Sequence, residues 1–223
     1  MARTEEEARR VIAGRARLEL ELFGWRLGDA PGPKNQRIAS RLCADAETRA
    51  RQGGAHLAQV FSGAGHPAAS KCLRISEAWE QNYRQGGYSR SLQETEDVPG
   101  WSGVFALYVC RAAGLRLSPW PLRSDIHPRP GGPMEWRMLP APGEPLPGDI
   151  GLIDGIRAGG LGRHFVVVSV DGQEIHAIEG DARLDVRGGA VAGVIAATVR
   201  RRMELRPGQD CFLRAVWETV LQT

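Results

Sequence analysis

The feature that most constrains the fold is a pair of apolar runs joined by Asp171-Gly172. His164 to Val170 precedes this dipeptide and Gln173 to Glu179 follows it. Asp-Gly between two apolar runs is a strong signal for a two-residue β-hairpin turn. Further apolar runs at Asp149 to Asp154 and Val191 to Val199 indicate that strands dominate the second half of the chain. The closing run, residues 212–221, fits either a strand or a helix.

The turn also predicts the register of the hairpin. If Asp171-Gly172 is the loop, Val170 pairs with Gln173 and, counting outward, His164 pairs with Glu179. Directly opposed side chains lie on one face of a sheet, with Cβ atoms about 4.5–5.5 Å apart. A carboxylate at that distance fixes the tautomer of an imidazole and leaves the other nitrogen free for a nucleophile. An ordinary surface pair worth roughly 0.2–1 kcal/mol is the alternative interpretation.

The clearest helix in the sequence runs from Ser102 to Gly114. Gly114 suits the C-terminal cap of this helix. Ser102 would lie at the helix start, where its hydroxyl is expected either to serve as the N-cap or to act as a nucleophile. The face predicted to be buried holds four apolar residues at helical spacing: Phe105, Tyr108, Ala112 and Leu115.

The first hundred residues read as helices. Thr4 and Glu7 resemble a capping box, although the alternating run Leu18 to Leu22 also allows a short strand. Further helices are predicted over Gln36 to Arg51 and Ala68 to Arg84. The inward face of the first helix is expected to hold Val11, Leu18, Leu22 and Trp25. We therefore expect a helical region over residues 1–98 and a second domain over 99–223, packed as one unit.

A proline-rich connection separates the helix at Ser102 from the strands. Nine of the fourteen prolines lie between Pro119 and Pro147, and little regular structure is expected from Ser118 to Gly148. Long connections of this kind are often binding loops. The segment either walls a substrate groove or wraps the surface. The groove candidates in and around it are Trp101, Trp120, Trp136 and Arg163.

Composition excludes several classes of function. The 223 residues, 42% apolar, suffice for one substantial core, and a net charge of +3 is too small to argue for nucleic-acid binding. Arg200-Arg201-Arg202 is expected to end a strand and face water. No apolar signal core follows Met1 and no stretch approaches the length of a membrane span, so we expect a soluble, cytoplasmically synthesised protein.

The four cysteines suggest neither a metal site nor a disulfide framework. They are scattered without CxxC spacing, which favours free and mostly buried thiols in a reducing compartment. No metal ion or organic cofactor is expected. The cysteines are Cys43, Cys72, Cys110 and Cys211.

Between Trp101 and Asp181 the sequence resembles the CHAP and NlpC-type amidases and endopeptidases of the papain-like superfamily. In those proteins a helix begins with a Trp-Cys-Gly-Phe-like run and ends in Ala-Gly, as do residues 101–105 and 112–114 here. A Pro-Gly-Asp-Ile run, here residues 147–150, precedes a strand that His164 opens. A Glu-Gly-Asn-like segment, here Glu179-Gly180-Asp181, closes the set. A related bacterial group looks similar and carries a Trp-Ser version of the first motif.

The resemblance implies an α+β fold with a papain-like core: a nucleophile helix packed on a small antiparallel sheet, with an N-terminal helical extension. It implies a nucleophile at position 102, His164 as general base and Glu179 as the orienting residue, with Asp181 as its substitute. Family members commonly cleave amide bonds of peptidoglycan or similar amides. Without a secretory signal, a wall substrate would require export by another route, as for a toxin or effector delivered by a dedicated secretion machine. An immunity, carrier or delivery protein is then a candidate partner.

Ser102 departs from the family pattern, which has cysteine at this position. Serine has no ionised population comparable with a thiolate, and it needs an accurately placed base and a preorganised oxyanion hole. Three interpretations stay open: a working serine nucleophile, a natural inactive homologue, and a substitution made to silence a cysteine enzyme. The corresponding functions are an amide hydrolase and a binding or regulatory module that has lost its chemistry. A third hypothesis makes the N-terminal helices the partner-binding part.

Overall fold

The structure is a computed structural model that describes residues 4–25, 59–65, 101–118, 135–154, 162–186 and 189–220. The helices predicted over 36–51 and 68–84, Trp120, and the cysteines at positions 43 and 72 lie outside the described residues. The described residues include three α-helices, α1 (Glu5–Phe23), α2 (Ser102–Ala112) and α3 (Trp217–Val220), and the short 3-10 helix Arg202–Glu204; residues 59–63 are also helical.

A seven-stranded sheet forms the centre of the molecule. Its strands are β1 (Gly24–Trp25), β2 (Trp136–Pro140), β3 (Ile150–Ile153), β4 (Arg163–Asp171), β5 (Glu174–Val186), β6 (Gly189–Arg201) and β7 (Cys211–Ala215). The strand order is β1-β6-β5-β4-β3-β7-β2. Six strands pair antiparallel, and the two-residue β1 joins β6 in parallel. The predicted α+β class is therefore confirmed.

Helix α1 begins with the predicted capping box. The Thr4 N–H donates to Glu7 Oε2 at 2.9 Å and the Glu7 N–H donates to Thr4 Oγ1 at 3.2 Å. The predicted inward face is wrong at Val11 and Leu18, which are 37% and 41% exposed, while the side chains of Leu22 and Trp25 lie outside the described part of the structure. The strand alternative is also wrong, since the helix continues to Phe23. The buried face instead carries alanines that allow close approach to the sheet, together with Ile12 and two charged side chains; its members include Ala8, Arg9, Ile12, Ala16 and Glu19.

Asp149 ties α1 to the sheet just before β3 begins. Its fully buried carboxylate accepts from Arg9 Nη1 and from Arg214 Nη2, each at 2.8 Å. Gly148 adopts φ +90°, and a Cβ there would lie 3.1 Å from Arg9 Cα. The Pro-Gly-Asp run therefore brings the chain against α1 and then supplies the carboxylate that pairs with its arginine.

Helix α2 is buried on every side over its first nine residues except at Ser102, which is half-buried. Its N-cap is Trp101 and Ser102 is its first residue, so the expectation of Ser102 as the N-cap is wrong. Ala112, predicted to face inward, is exposed. Gly114 adopts φ +93°, the left-handed conformation that the predicted C-terminal cap requires.

The β4–β5 hairpin forms where predicted, but its register differs. Asp171 pairs with Glu174, so the loop is the dipeptide after Asp171. Farther out, Val166 pairs with Ile178 because a β-bulge at Val168 inserts one extra residue in β4. Beyond the bulge the register is one residue away from the prediction, and such a shift moves side chains to the other face. The predicted pairing of His164 with Glu179 is therefore wrong.

The proline-rich connection contains a strand that the sequence pattern did not reveal. Trp136–Pro140 forms β2, an edge strand paired only with β7, which contradicts the expectation of little regular structure there. Its terminal proline masks the strand signal, since proline is tolerated in sheets mainly at edges. At the C-terminus both alternatives are realised in succession, β7 and then α3.

The two faces of the sheet carry separate apolar clusters. We call the face that packs against α1 and α2 the helix face; its residues include Ile150, Leu152, Val166 and Ile178. The opposite face we call the arginine face, after Arg200, whose guanidinium lies 4.8 Å from the ring centroid of Phe165. Its apolar residues include Phe165, Val167, Ala177 and Phe212.

Candidate functional site at the start of helix α2

Ser102 and His164 meet where α2 begins. Ser102 Oγ accepts a hydrogen bond from the backbone N–H of His164 at 3.1 Å. His164 pairs with Leu152 of β3, and paired residues share a face, so the imidazole lies on the helix face with α2. The hydroxyl is acceptor to the β4 backbone and keeps its own proton available for donation.

The His164 imidazole is buried and unpaired. The residue is 2% exposed, and neither ring nitrogen has a hydrogen-bond partner among the described residues, Ser102 and Glu179 included. Burial lowers the pKa of His164 to about 4, partly opposed by the nearby backbone of Gly162, whose contact with the ring falls short of hydrogen-bond geometry. The ring is thus neutral at physiological pH, with one donor and one acceptor nitrogen. A buried polar group without a partner is costly, and a catalytic role is one of the explanations for retaining it.

Glu179 lies on the arginine face instead of beside His164. Its carboxylate forms a close ion pair with Arg200, accepts from Thr198 Oγ1 at 3.0 Å and lies 3.5 Å from Arg163 Nη2. Thr198 pairs with Ala177, which belongs to the arginine-face cluster. Arg200, expected to face water, is one quarter exposed and supplies the main countercharge. The structure therefore does not bring Glu179 and the imidazole together.

Asp181 approaches the site from β5. Asp181 Oδ2 accepts a hydrogen bond from the Trp101 N–H at 3.2 Å, next to Ser102 in the chain. Sequence reasoning assigned Asp181 only as a substitute partner for the imidazole. Nothing in the local pattern indicated a contact with Trp101, because it depends on how α2 docks on β5.

The groove candidates do not form one wall. Trp101 is 4% exposed and stacks edge-on against Phe105, with ring centroids 6.2 Å apart, so it belongs to the core. Trp136 also packs against the helix-face core, on a strand separated from β4 by β3 and β7. Arg163 has a side chain that is 53% exposed and faces Glu179. Trp120 lies outside the described residues.

The buried cysteines are not placed to react. Cys110 and Cys211 are free and buried, as the sequence predicts. Burial, with a further contribution from the charge of Asp149, raises the pKa of Cys110 to about 12. Burial and the charge of Asp210 raise the pKa of Cys211 to about 11. Both thiols therefore stay protonated and unreactive at neutral pH.

The described residues contain no group of three or more His, Cys, Asp or Glu side chains arranged to hold a metal ion. Within the same ranges, no helix has the length and apolar character needed to cross a membrane.

The arrangement at the start of α2 suits proton transfer and nucleophilic attack. Ser102 offers a hydroxyl, His164 a neutral imidazole on the same face, and the first turn of α2 offers backbone N–H groups that lack an i−4 carbonyl. Comparison of the chain with protein-family models, with curated proteins and with solved structures found no match.

Proposed function

We propose that this chain has the scaffold of a papain-like amide hydrolase, with residue 102 in the nucleophile position and His164 as the base. One observation carries the proposal: Ser102 at the start of a buried helix contacts the backbone of a buried histidine whose ring has no partner among the described residues. A helix packed on an antiparallel sheet, with the nucleophile at the helix start, is also what the resemblance implies.

The chemistry follows from these groups. Ser102 Oγ would attack the carbonyl carbon of an amide while a ring nitrogen of His164 takes the hydroxyl proton. The first-turn N–H groups of α2 would bind the oxyanion, and the amine would leave with the proton from the imidazolium. Water would then hydrolyse the acyl-enzyme and restore the serine. Substrates in this proposal are amides of peptidoglycan peptides or similar molecules, and the protein needs neither metal nor cofactor.

The test replaces Ser102 by cysteine and measures alkylation by iodoacetamide. We expect the Ser102→Cys protein to gain one reactive site, and His164→Gln to slow its alkylation roughly tenfold or more, since an adjacent imidazole promotes the thiolate. Ser118→Cys is the matched control, because Ser118 is also half-buried and hydrogen-bonded, but to Glu135. The unaltered protein gives the background from its own cysteines.

Activity is measured on purified peptidoglycan fragments by mass spectrometry of the released amines. The hydrolase proposal requires cleavage by the Ser102 protein or by the Ser102→Cys protein, and loss of cleavage with His164→Gln. Alkylation at residue 102 that is independent of His164 in a folded protein contradicts the assignment of the base.

A binding or regulatory module without chemistry is the second candidate. The position of Glu179 favours this alternative. Its carboxylate pairs with Arg200 and accepts a hydrogen bond from Thr198, so it does not orient the imidazole. A pKa of about 4 also makes His164 a weak base near neutral pH. Under this alternative, peptidoglycan fragments bind the chain and neither the serine nor the cysteine form cleaves them.

A further inference from the structure

The start of α2 is held by two strands at once. The His164 N–H of β4 donates to Ser102 Oγ at 3.1 Å, and the Trp101 N–H donates to Asp181 of β5 at 3.2 Å. The paired register of β4 and β5 runs only as far as Val166 and Ile178. The first residues of the helix therefore occupy the place where the two strands separate.

The backbone at Gly180 and Asp181 allows the start of α2 to lie close to β5. A Cβ at Gly180 would lie 2.4 Å from Phe105 Cβ and 2.7 Å from the ring of Trp101, so a larger residue would push the helix away. Asp181 adopts φ +57°, a left-handed conformation that aspartate tolerates better than most residues. Its carboxylate is thereby presented to the N-terminus of α2, where negative charge is favourable.

We infer that Asp181 is a positioning residue for residue 102. Its carboxylate holds the Trp101 N–H, which lies in the peptide unit before Trp101, and so fixes the backbone one residue ahead of Ser102 on the helix face that carries His164. The inference rests on the proposed function. It differs from the role that the resemblance gives this position, because Asp181 acts on the nucleophile side of the pair and not on the imidazole.

The charge of Asp181 has an effect on residue 102 that a purely structural contact lacks. A carboxylate close to residue 102 opposes ionisation of a thiol placed there, whereas the helix N-terminus favours it. Asp181→Asn keeps an oxygen acceptor for the Trp101 N–H and removes the charge. Asp181→Ala removes both the charge and the acceptor. The two variants therefore separate electrostatics from positioning.

The experiment measures the iodoacetamide alkylation rate of Ser102→Cys against pH, alone, with Asp181→Asn and with Asp181→Ala. Each protein is also made with His164→Gln, and the ratio of the paired rates reports how well the imidazole reaches the thiol. We expect Asp181→Asn to move the midpoint of the rate profile to lower pH and to preserve the ratio. Asp181→Ala is expected to reduce the ratio roughly tenfold, because small displacements of reacting groups cost large factors in rate.

A second measurement uses the protein with Ser102 intact. Hydrogen exchange of the Trp101 amide should accelerate roughly five- to tenfold in Asp181→Ala, because that factor corresponds to the loss of one ordinary hydrogen bond. The exchange rate should stay unchanged in Asp181→Asn. The role of Asp181 is overturned, and the proposed function is left standing, if the alkylation rate still depends on His164 in Asp181→Ala. The same holds if the exchange rate of the Trp101 amide does not change in Asp181→Ala. An absence of His164 dependence while Asp181 is intact overturns the proposed function, and the inference with it.

Discussion

The buried polar groups on the two faces of the β4–β5 hairpin differ in whether they have hydrogen-bond partners. On the arginine face Glu179 is 1% exposed and its carboxylate is satisfied by Arg200 and Thr198. On the helix face His164 is equally buried, and its ring has no hydrogen-bond partner among the described residues. A satisfied buried carboxylate stabilises a fold, whereas an unsatisfied imidazole is available to a ligand or a reacting group. In the proposed function, His164 and not Glu179 therefore takes part in the chemistry.

The largest effects are expected at one glycine on each face. A Cβ at Gly151 would lie 1.9 Å from the ring of Phe165 on the arginine face, and a Cβ at Gly180 would lie 2.4 Å from Phe105 on the helix face. Each alanine variant should lose about 3 kcal/mol of unfolding free energy, as overpacking does. Denaturant titration checks both values.

The same two variants, combined with Ser102→Cys, test whether the two faces are independent. Gly180→Ala should lower the alkylation rate at residue 102, because it displaces the start of α2. Gly151→Ala should leave that rate unchanged at equal fractions of folded protein. Equal loss of alkylation in both would mean that the two faces are not independent.

The next effect is the acid dependence of stability that His164 confers. The pKa of His164 lies near 4 in the folded protein, below its ordinary value of 6.5. As the pH falls through this window the unfolded chain binds the proton first, so stability is complete above about pH 6.5 and is lost toward pH 4, by roughly 3 kcal/mol.

His164→Gln should flatten this dependence, and Glu179→Gln should retain it. Chemical denaturation across the window measures both. If the unfolding free energy of His164→Gln still falls between pH 6.5 and pH 4, other groups cause the pH dependence. The evidence for a neutral buried imidazole is then lost.

The smallest effect is expected from Glu179. Removing one partner of a fully buried pair costs about 3–5 kcal/mol, but Arg200 and Arg163 are 25% and 53% exposed, so we expect Glu179→Ala to cost about 2 kcal/mol. Alkylation of Ser102→Cys should be unaffected, since Glu179 does not contact the imidazole. If Glu179 were the orienting acid, its removal would slow alkylation as much as His164→Gln does.

Much of the architecture could be predicted from local signals. The capping box at Thr4 and Glu7, the helix beginning beside Trp101 and the turn near Gly172 depend on residues close in the sequence. The first two form as expected, and the turn forms one residue later than predicted. Sequence reasoning also selected Ser102 and His164, which the structure brings into contact. The inward face of α1 does not follow from the large apolar residues at helical spacing, because the close packing of this helix uses alanines.

The partner of His164 could not be predicted, because one bulge decides which side chains share a face. The bulge at Val168 has no signature within the run of valines around it. Its carbonyl accepts from Arg17 Nη2 at 2.8 Å, a contact between α1 and β4 across 151 positions.

Short-range patterns in the chain suffice to predict the α+β class, the helix that starts at Ser102 and the strand that carries His164. The contacts of Glu179 with Arg200 and of Asp181 with Trp101 depend instead on how the elements pack. Side chains alternate between the two faces of a strand, so a single inserted residue, here contacted by a distant arginine, exchanges the two faces.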